Sequence, residues 1–362
     1  MLPDRERVEE ELVQLLEVDG IALGADLLTL HELIELLSAE RPAGRVLVDG
    51  LTARALLAEC AAEVDLGPFA RVAGRPGFIR AAHETINSLK AGRCRADEFA
   101  RILERFPPVR AKRIAGLARL YARFEEVLAE RGLCDAHDLL EHAIGALRNR
   151  ATPLPPALAE AQEVRFEDVY DWFPLRMELV LALADRFEAE GDGRVVRILL
   201  PHDPERPELM AWVDPVFEQF YRRAQTSRAL EVEVKQYGHP DSGPARLARA
   251  VFRTPAPEWR DPPVGELVST ASPDEEAREI ARRVRDLLEA GTPPETVAIA
   301  VRRLDDFAEQ LVGALDRYGV PVRIRRGVPL ERCPVAPVAL ALARSRAEGF
   351  SREVLETLLA SG

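Results

Sequence analysis

Residues 266–324 alternate short apolar runs with longer amphipathic ones, and this order constrains the fold more than any other feature of the chain. ELVSTA (266–271) reads as a strand. Ser272-Pro273-Asp274-Glu275 then supplies an N-cap serine, a proline at the first helical position and a glutamate where a capping box needs one. Ala277, Ile280, Ala281, Val284, Leu287 and Leu288 recur at helical spacing until Gly291 ends the run. VAIAV (297–301) is a buried strand by composition. Phe307, Leu311 and Leu315 mark a further helix that stops at Gly319, and VPVRI (320–324) is another strand. Strand–helix–strand–helix–strand with short connections predicts a parallel sheet covered by helices.

Upstream the period changes. Residues 5–17 and 26–38 read as helices, the second through Leu27, Leu30, Ile34 and Leu37, while RVLVD (45–49) fits a short strand or a helix lead-in. From about 52 to 150 the pattern is helical, interrupted at GRPG (74–77) and FPPV (106–109). Its clearest segment is 117–132, where Leu117, Leu120, Tyr121, Phe124, Val127 and Leu128 form one stripe and Gly132 suits the C-terminal cap. TPLPPALAEA (152–161) is a proline-marked connection. Beyond it, strands at 166–170 and 195–201 flank a helix over 175–187, a β–α–β unit. The proline-rich end of 239–263 marks a domain boundary.

Charge and residue usage exclude several functions. The net charge is −12, so any nucleic-acid contact has to be a local basic face. Lys90, Lys112 and Lys235 are the only lysines, and each is followed by the wrong residue for a G-x-x-x-x-G-K-[ST] phosphate loop, so no ATP site of that kind exists. A two-carboxylate nuclease needs an acid two places before its lysine. Only Glu233-Val234-Lys235 passes, with Asp214 nineteen residues before Glu233, giving the candidate catalytic set Asp214, Glu233 and Lys235. The same ALEVEVKQYG (229–238) also reads as a strand with Glu231, Glu233 and Lys235 facing solvent.

There is no G-x-S-x-G elbow, and His137 and His142 lack metal-helix spacing, which leaves them as surface or packing residues. Cys60, Cys94, Cys134 and Cys333 are scattered, which argues for buried thiols over a disulfide, zinc or iron–sulfur framework. No run approaches the roughly 18 apolar residues of a membrane span. The charged start lacks a signal-peptide core, so the cytoplasm is the expected compartment.

The run 266–342 resembles the start of the second RecA-like domain of UvrD/RecB-type helicases, and in particular the AddB-like subunits of bacterial ATP-dependent helicase–nucleases. The acidic pair Glu275-Glu276, the Val297–Val301 strand with Arg303, the Tyr318–Pro321 turn, and Pro329-Leu330 with Pro334 carry the likeness. LTLHELIELL (28–37) is similar to an early segment of that family. The resemblance implies an α/β fold of RecA-like parallel sheets with a large all-helical insertion, an inactivated superfamily 1 helicase-like architecture. Domains are then expected at 1–52 and 151–245 (first RecA-like domain), 53–150 (helical insertion), 246–263 (linker) and 264–362 (start of the second RecA-like domain).

It also places Glu167, Asp168 and Asp171 in a degenerate Walker B region, with no Walker A partner and so no ATP. The family's C-terminal nuclease domain and its cluster-binding cysteines have no counterpart here, and the chain is expected to be a fragment or a shortened product. Three functions stay open. The first is a non-catalytic module in DNA double-strand break processing and recombinational repair, binding duplex ends or forks and an AddA-like helicase–nuclease subunit. Its DNA contacts would be Arg105, Arg110, Lys112, Arg113, Arg119 and Arg123, residues that read more readily as a solvated helical face, or Arg302, Arg303, Arg323, Arg325 and Arg326. The second is a magnesium-dependent nuclease, and the third is a purely architectural protein.

Overall fold

The helices start where the sequence supplies caps. Thr29 closes a capping box, its hydroxyl accepting from the Glu32 N–H (3.1 Å) while its own N–H donates to Glu32 Oε2 (2.7 Å). Helix α1 (Leu30–Leu37) follows and buries Leu30, Leu33, Ile34 and Leu37. In the computed structural model the described residues are 26–38, 44–201, 210–235, 265–324, 335–347 and 350–360, with Val8, Leu12 and Cys333 singly. Val8 and Leu12 are helical; the rest of the helix expected over 5–17 lies outside the described residues, as does the linker 246–263.

The chain divides into two compact units, Met1–Glu258 and Trp259–Gly362. In the first, strand β1 (Val46–Leu47) leads into α2 (Gly50–Glu63), a 3-10 turn (Gly67–Val72), α3 (Pro76–Ala91), α4 (Ala96–Leu103) and α5 (Pro108–Glu130). Both expected breaks are real: Pro76 and Pro108 each open a helix at a position where a missing N–H costs nothing. Gly132 adopts φ +64° beyond α5, the left-handed conformation a glycine takes without strain. It delivers the chain to β2 (Leu133–Cys134), which pairs in parallel with β1, Val46 opposite Leu133. RVLVD is therefore a short strand.

The helical stretch divides between two cores. Leu57, Ile86, Leu120, Tyr121, Phe124 and Leu128 close a core of α2, α3 and α5. Helix α6 (Ala136–Arg148) instead sends Leu139, Leu140, Ile144 and Leu147 into the core that packs on the main sheet. That sheet comprises β3 (Glu163–Phe166), β4 (Val195–Pro201) and β5 (Leu230–Lys235), all parallel, in the order β3-β4-β5. A short helix α7 (Pro156–Ala159) precedes it; α8 (Pro174–Glu190) and α9 (Asp214–Ala224) make the crossovers. β4 is central and its side chains are almost continuously buried, as expected for a parallel strand with a neighbour on each side. Buried Arg186 of α8 donates to the carbonyls of Asn149 and Thr152, both at 3.0 Å, and so fixes the proline-marked connection.

Two expectations need correction here. The strand read over 166–170 lies at 163–166, and 167–173 is a loop. Val169, and Trp172 beyond the expected strand, are buried as loop residues against the same core. Helix α8 also runs longer than the expected 175–187.

In the second unit, α10 (Pro273–Glu289), a 3-10 turn (Pro294–Thr296), α11 (Leu304–Arg317), α12 (Val335–Ala347) and α13 (Arg352–Ala360) follow one another. Ser272 caps α10 as its sequence requires, accepting from Glu275 N–H at 3.3 Å. The parallel sheet expected over 266–324 is not formed among the described residues. Val297, Ile299 and Val301 do alternate toward the core made by α10 and α11, and Val320 is buried in it. Leu267, by contrast, is 98% exposed. A period of two reports which side chains face the helices. It does not by itself supply the neighbouring backbone that makes a ladder.

Candidate nucleic-acid interface

The basic run of the helical region folds onto the turn between α4 and α5. Arg105 N–H and Phe106 N–H donate to the carbonyls of Ile102 and Leu103, each at 3.1 Å, closing the end of α4. Pro107 then accepts from Arg110 (2.9 Å) and Ala111 (3.0 Å), which starts α5. The Arg110 guanidinium lies 5.4 Å from the centre of the Phe106 ring. Arg105, Arg110, Lys112 and Arg113 are exposed, and among the described residues no carboxylate pairs with any of them. Behind this turn, α4 and α5 border a trough of about 740 Å³ lined by Ala96, Ala100, Ala111, Ala115, Ala118 and Ala122 together with the charged Arg95, Asp97, Glu104, Lys112, Arg119 and Glu125.

The other two cations of the expected patch have different work. Arg119 donates to the Asp65 carbonyl at 2.7 Å and to its carboxylate at 3.1 Å. Arg123 is held by Glu63 (2.8 Å), Glu126 (3.2 Å) and Glu130 (3.1 Å), which keep its guanidinium protonated well above the usual range. Six basic residues in the sequence thus become four unneutralised cations and two structural ones. In the second unit Arg302, Arg303 and Arg323 are exposed, whereas Arg325 and Arg326 lie outside the described residues.

The acidic loop sits at the carboxyl end of β3, the edge where parallel α/β sheets receive ligands. Glu167 and Asp168 are half-buried and Asp171 is exposed. Asp168 has φ +55° and accepts from the Tyr170 hydroxyl at 3.0 Å, while Asp171 pairs with Arg176. Asp214 opens α9, and Glu233 is an exposed position of β5 opposite Leu199. Lys235 lies opposite Pro201 in the backbone register; its side chain is outside the described residues. Among the described residues, none of Asp214, Glu233, Glu167, Asp168 and Asp171 joins a group of three metal-competent side chains.

Among the described residues there is one such group, and the sequence did not reveal it. Glu125, Asp135 and Asp138 bring carboxylate oxygens within 4.8 Å of one another. The Lys90 ammonium occupies their centre, 2.8 Å from Glu125, 2.5 Å from Asp135 and 2.8 Å from Asp138. Burial opposes the charge on Lys90, but the three carboxylates outweigh it and hold its pKa well above that of an ordinary lysine. Burial also pushes Glu125 up, whereas Lys90 and backbone donors outweigh burial at Asp135 and bring it down. The lysine is the cation of this site. It ties α3 to α5 and α6, a structural role that neighbour spacing in sequence cannot announce because its partners lie 35 and 45 residues away.

Of the cysteines, Cys60 and Cys134 are buried, Cys94 is half-buried and Cys333 is exposed, so the expectation of buried thiols holds for only part of the set. His137 lines a polar pocket of about 420 Å³ beside Lys90, and burial lowers its pKa.

The fold is thus α/β, with a small parallel sheet and a separately cored set of helices that presents a local cationic turn. No family model matches the chain. It is similar to an AddB-type subunit of the ATP-dependent helicase/deoxyribonuclease of Moorella thermoacetica, 27% identical over 303 residues that cover 76% of this chain. The matched region spans a quarter (25%) of that relative's length. The likeness to AddB-like subunits read from 266–342 therefore extends over most of the chain. No helix among the described residues is long and apolar enough to cross a membrane.

Proposed function

We propose that this chain is a non-catalytic, helicase-like module of an AddB-type complex, working in the cytoplasm on DNA double-strand breaks that feed recombinational repair. It binds DNA backbone and an AddA-like helicase–nuclease subunit, and uses no ATP, metal or iron–sulfur cluster of its own. In this reading Glu167, Asp168 and Asp171 are what remains of a nucleotide site, serving the loop's own hydrogen bonds.

The observation that carries the reading is the cationic turn: Arg105, Arg110, Lys112 and Arg113 exposed and unpaired among the described residues, on a chain with net charge −12. Four neighbouring cations without carboxylate partners among the described residues give this acidic chain a local positive field. Phosphates are the partner that their spacing along one turn and helix start fits.

Four phosphate contacts predict that log affinity for a duplex falls with log salt with a slope of about −3 to −4. Arg110→Glu with Lys112→Glu is expected to weaken binding more than about tenfold and to flatten that slope by about 2. Fluorescence anisotropy across a salt series reads both. An unchanged slope in the double variant, with binding intact, would move the contact to another face. Magnesium-dependent cleavage lost in Glu233→Ala would instead establish the nuclease.

A further inference from the structure

We infer that the rings of Tyr170 and Trp212 form a docking surface for an arginine-bearing segment of another protein. The surface shares no residue with the cationic turn of α4 and α5, and binding there does not depend on DNA.

The loop after β3 divides its side chains between core and solvent. Val169 and Trp172 are buried, whereas Tyr170 between them is 47% exposed. Trp212, two residues before α9, is 53% exposed, and its ring centre lies 6.1 Å from that of Tyr170. Buried rings fix this pair. Trp172 packs edge-on against Phe220 of α9 at 5.2 Å and against Phe166 of β3 at 6.2 Å, which holds the loop to the helix that follows Trp212. The Tyr170 hydroxyl donates to Asp168 and so orients its ring. Farther along α9, Tyr221 is exposed and stacks on Phe217 at 5.5 Å. Half-exposed rings on a rigid base offer a partner contact area at little cost in ordering.

Charge selects the partner. Residues 167–173 and 210–218 carry five carboxylates, Glu167, Asp168, Asp171, Asp214 and Glu218, and no lysine or arginine. Arg176 and Arg222 pair with Asp171 and Glu218. Asp214 lies in the first turn of α9, where it offsets the positive end of the helix. An acidic aromatic surface repels phosphates and favours a cation that can stack. The loop already holds one: the Arg176 guanidinium lies 4.6 Å from the centre of the Phe173 ring and donates to the Asp171 carbonyl at 3.2 Å. Tyr170 and Trp212 repeat that combination for a guanidinium from outside, with Asp168 and Asp214 each two residues from one of the rings. Arginine suits it better than lysine, because a planar, weakly hydrated group stacks on a ring while its N–H groups donate to carboxylates.

The test is anisotropy of labelled, capped peptides titrated with the full chain. One peptide alternates glycine with arginine, a second has lysine in place of arginine, and a third has glutamate. The arginine peptide is expected to bind about three- to tenfold more tightly than the lysine peptide, and the glutamate peptide not to bind. Trp212→Ser is expected to abolish the preference for arginine and Trp212→Phe to keep most of it, both with an unchanged urea midpoint because the position is exposed. Arg110→Glu with Lys112→Glu is expected to leave the preference as it is.

Equal affinity for the arginine and lysine peptides would overturn the inference, since charge alone would then account for binding. A preference that survives Trp212→Ser would overturn it too, as would binding of the glutamate peptide or of none of the three. Binding of labelled single-stranded oligothymidylate that falls in Trp212→Ser would overturn it in favour of base stacking. These outcomes leave the cationic turn untouched, since its own salt series tests it.

Discussion

Lys90→Met is expected to lower the free energy of unfolding by about 3–5 kcal/mol, the range for removing one partner of a buried ion pair. Methionine keeps the length and most of the apolar volume of the side chain, so the change isolates the charge. Three carboxylates that the ammonium now separates would face one another in a space where Lys90 is 8% and Asp135 6% exposed. Asp135 cannot simply turn away, because its carboxylate also caps α6, accepting from His137 N–H at 2.8 Å and Asp138 N–H at 3.0 Å.

The pH dependence follows from the directions of the shifts. Lys90 is raised on folding, so its contribution is complete below the ordinary lysine value of about 10.4 and is lost as pH climbs through the folded value. Asp135 is lowered, so its contribution is present above about 3.9 and is lost as pH falls through the folded value. Between these limits this pair leaves the native chain's stability flat. In Lys90→Met the crowded carboxylates take up protons more readily folded than unfolded, so the deficit narrows as pH falls toward about 5. Urea unfolding at several pH values measures this. A deficit below about 1 kcal/mol that does not change with pH would mean that water reaches the cluster and screens it.

How much of this was legible beforehand depends on whether a feature is local. Pro76 and Pro108 open helices, Gly132 turns the chain after α5, Ser272 caps α10 and VVRILLP forms the central strand, all as their own residues dictate. The stripe Leu120, Tyr121, Phe124, Val127 and Leu128 is buried as its spacing requires. What failed was non-local. Phe166 ends β3, whereas Val169, and Trp172 beyond the expected strand, reach the core from a loop. VAIAV keeps its alternation without a ladder, because alternation names a face and a ladder needs a partner.

The candidate site divides in the same way. The cations at 105–113 could be read as a cluster, but that Arg119 and Arg123 serve Asp65 and Glu63 depends on contacts 54 and 60 residues apart. Lys90 was visible in the sequence only as a lysine without a phosphate loop. Its three carboxylates come from α5 and from the start of α6, and no spacing rule joins them.

Gly116→Ala should reverse the sign that helix propensity assigns to it. Alanine in place of glycine inside a helix is worth about 1 kcal/mol of added stability when nothing else changes. At position 116 of α5, however, the new Cβ would lie 2.6 Å from the carbonyl carbon and 2.8 Å from the Cα of Leu66, and nearer still to its oxygen. These are backbone atoms that no rotamer change can move. Leu66 is 1% exposed and its carbonyl accepts from Phe69 N–H at 3.2 Å, which holds the 3-10 turn after it. Either that turn or α5 has to shift, and overpacking of this kind costs about 1–3 kcal/mol and occasionally more.

A net loss of about 2 kcal/mol is expected, read as a lower urea midpoint. Gly145→Ala in α6 is the control, since a Cβ there meets nothing within 4 Å and the residue is exposed; it should raise the midpoint. Gly116 also bears on the DNA-binding reading, because it fixes the same helix whose first turns carry Arg110, Lys112 and Arg113. If α5 is the element displaced, Gly116→Ala weakens DNA binding and Gly145→Ala does not. If the 3-10 turn yields instead, stability falls while DNA affinity is retained. A Gly116→Ala chain as stable as the parent would show that the close approach of α5 to Leu66 is wrong.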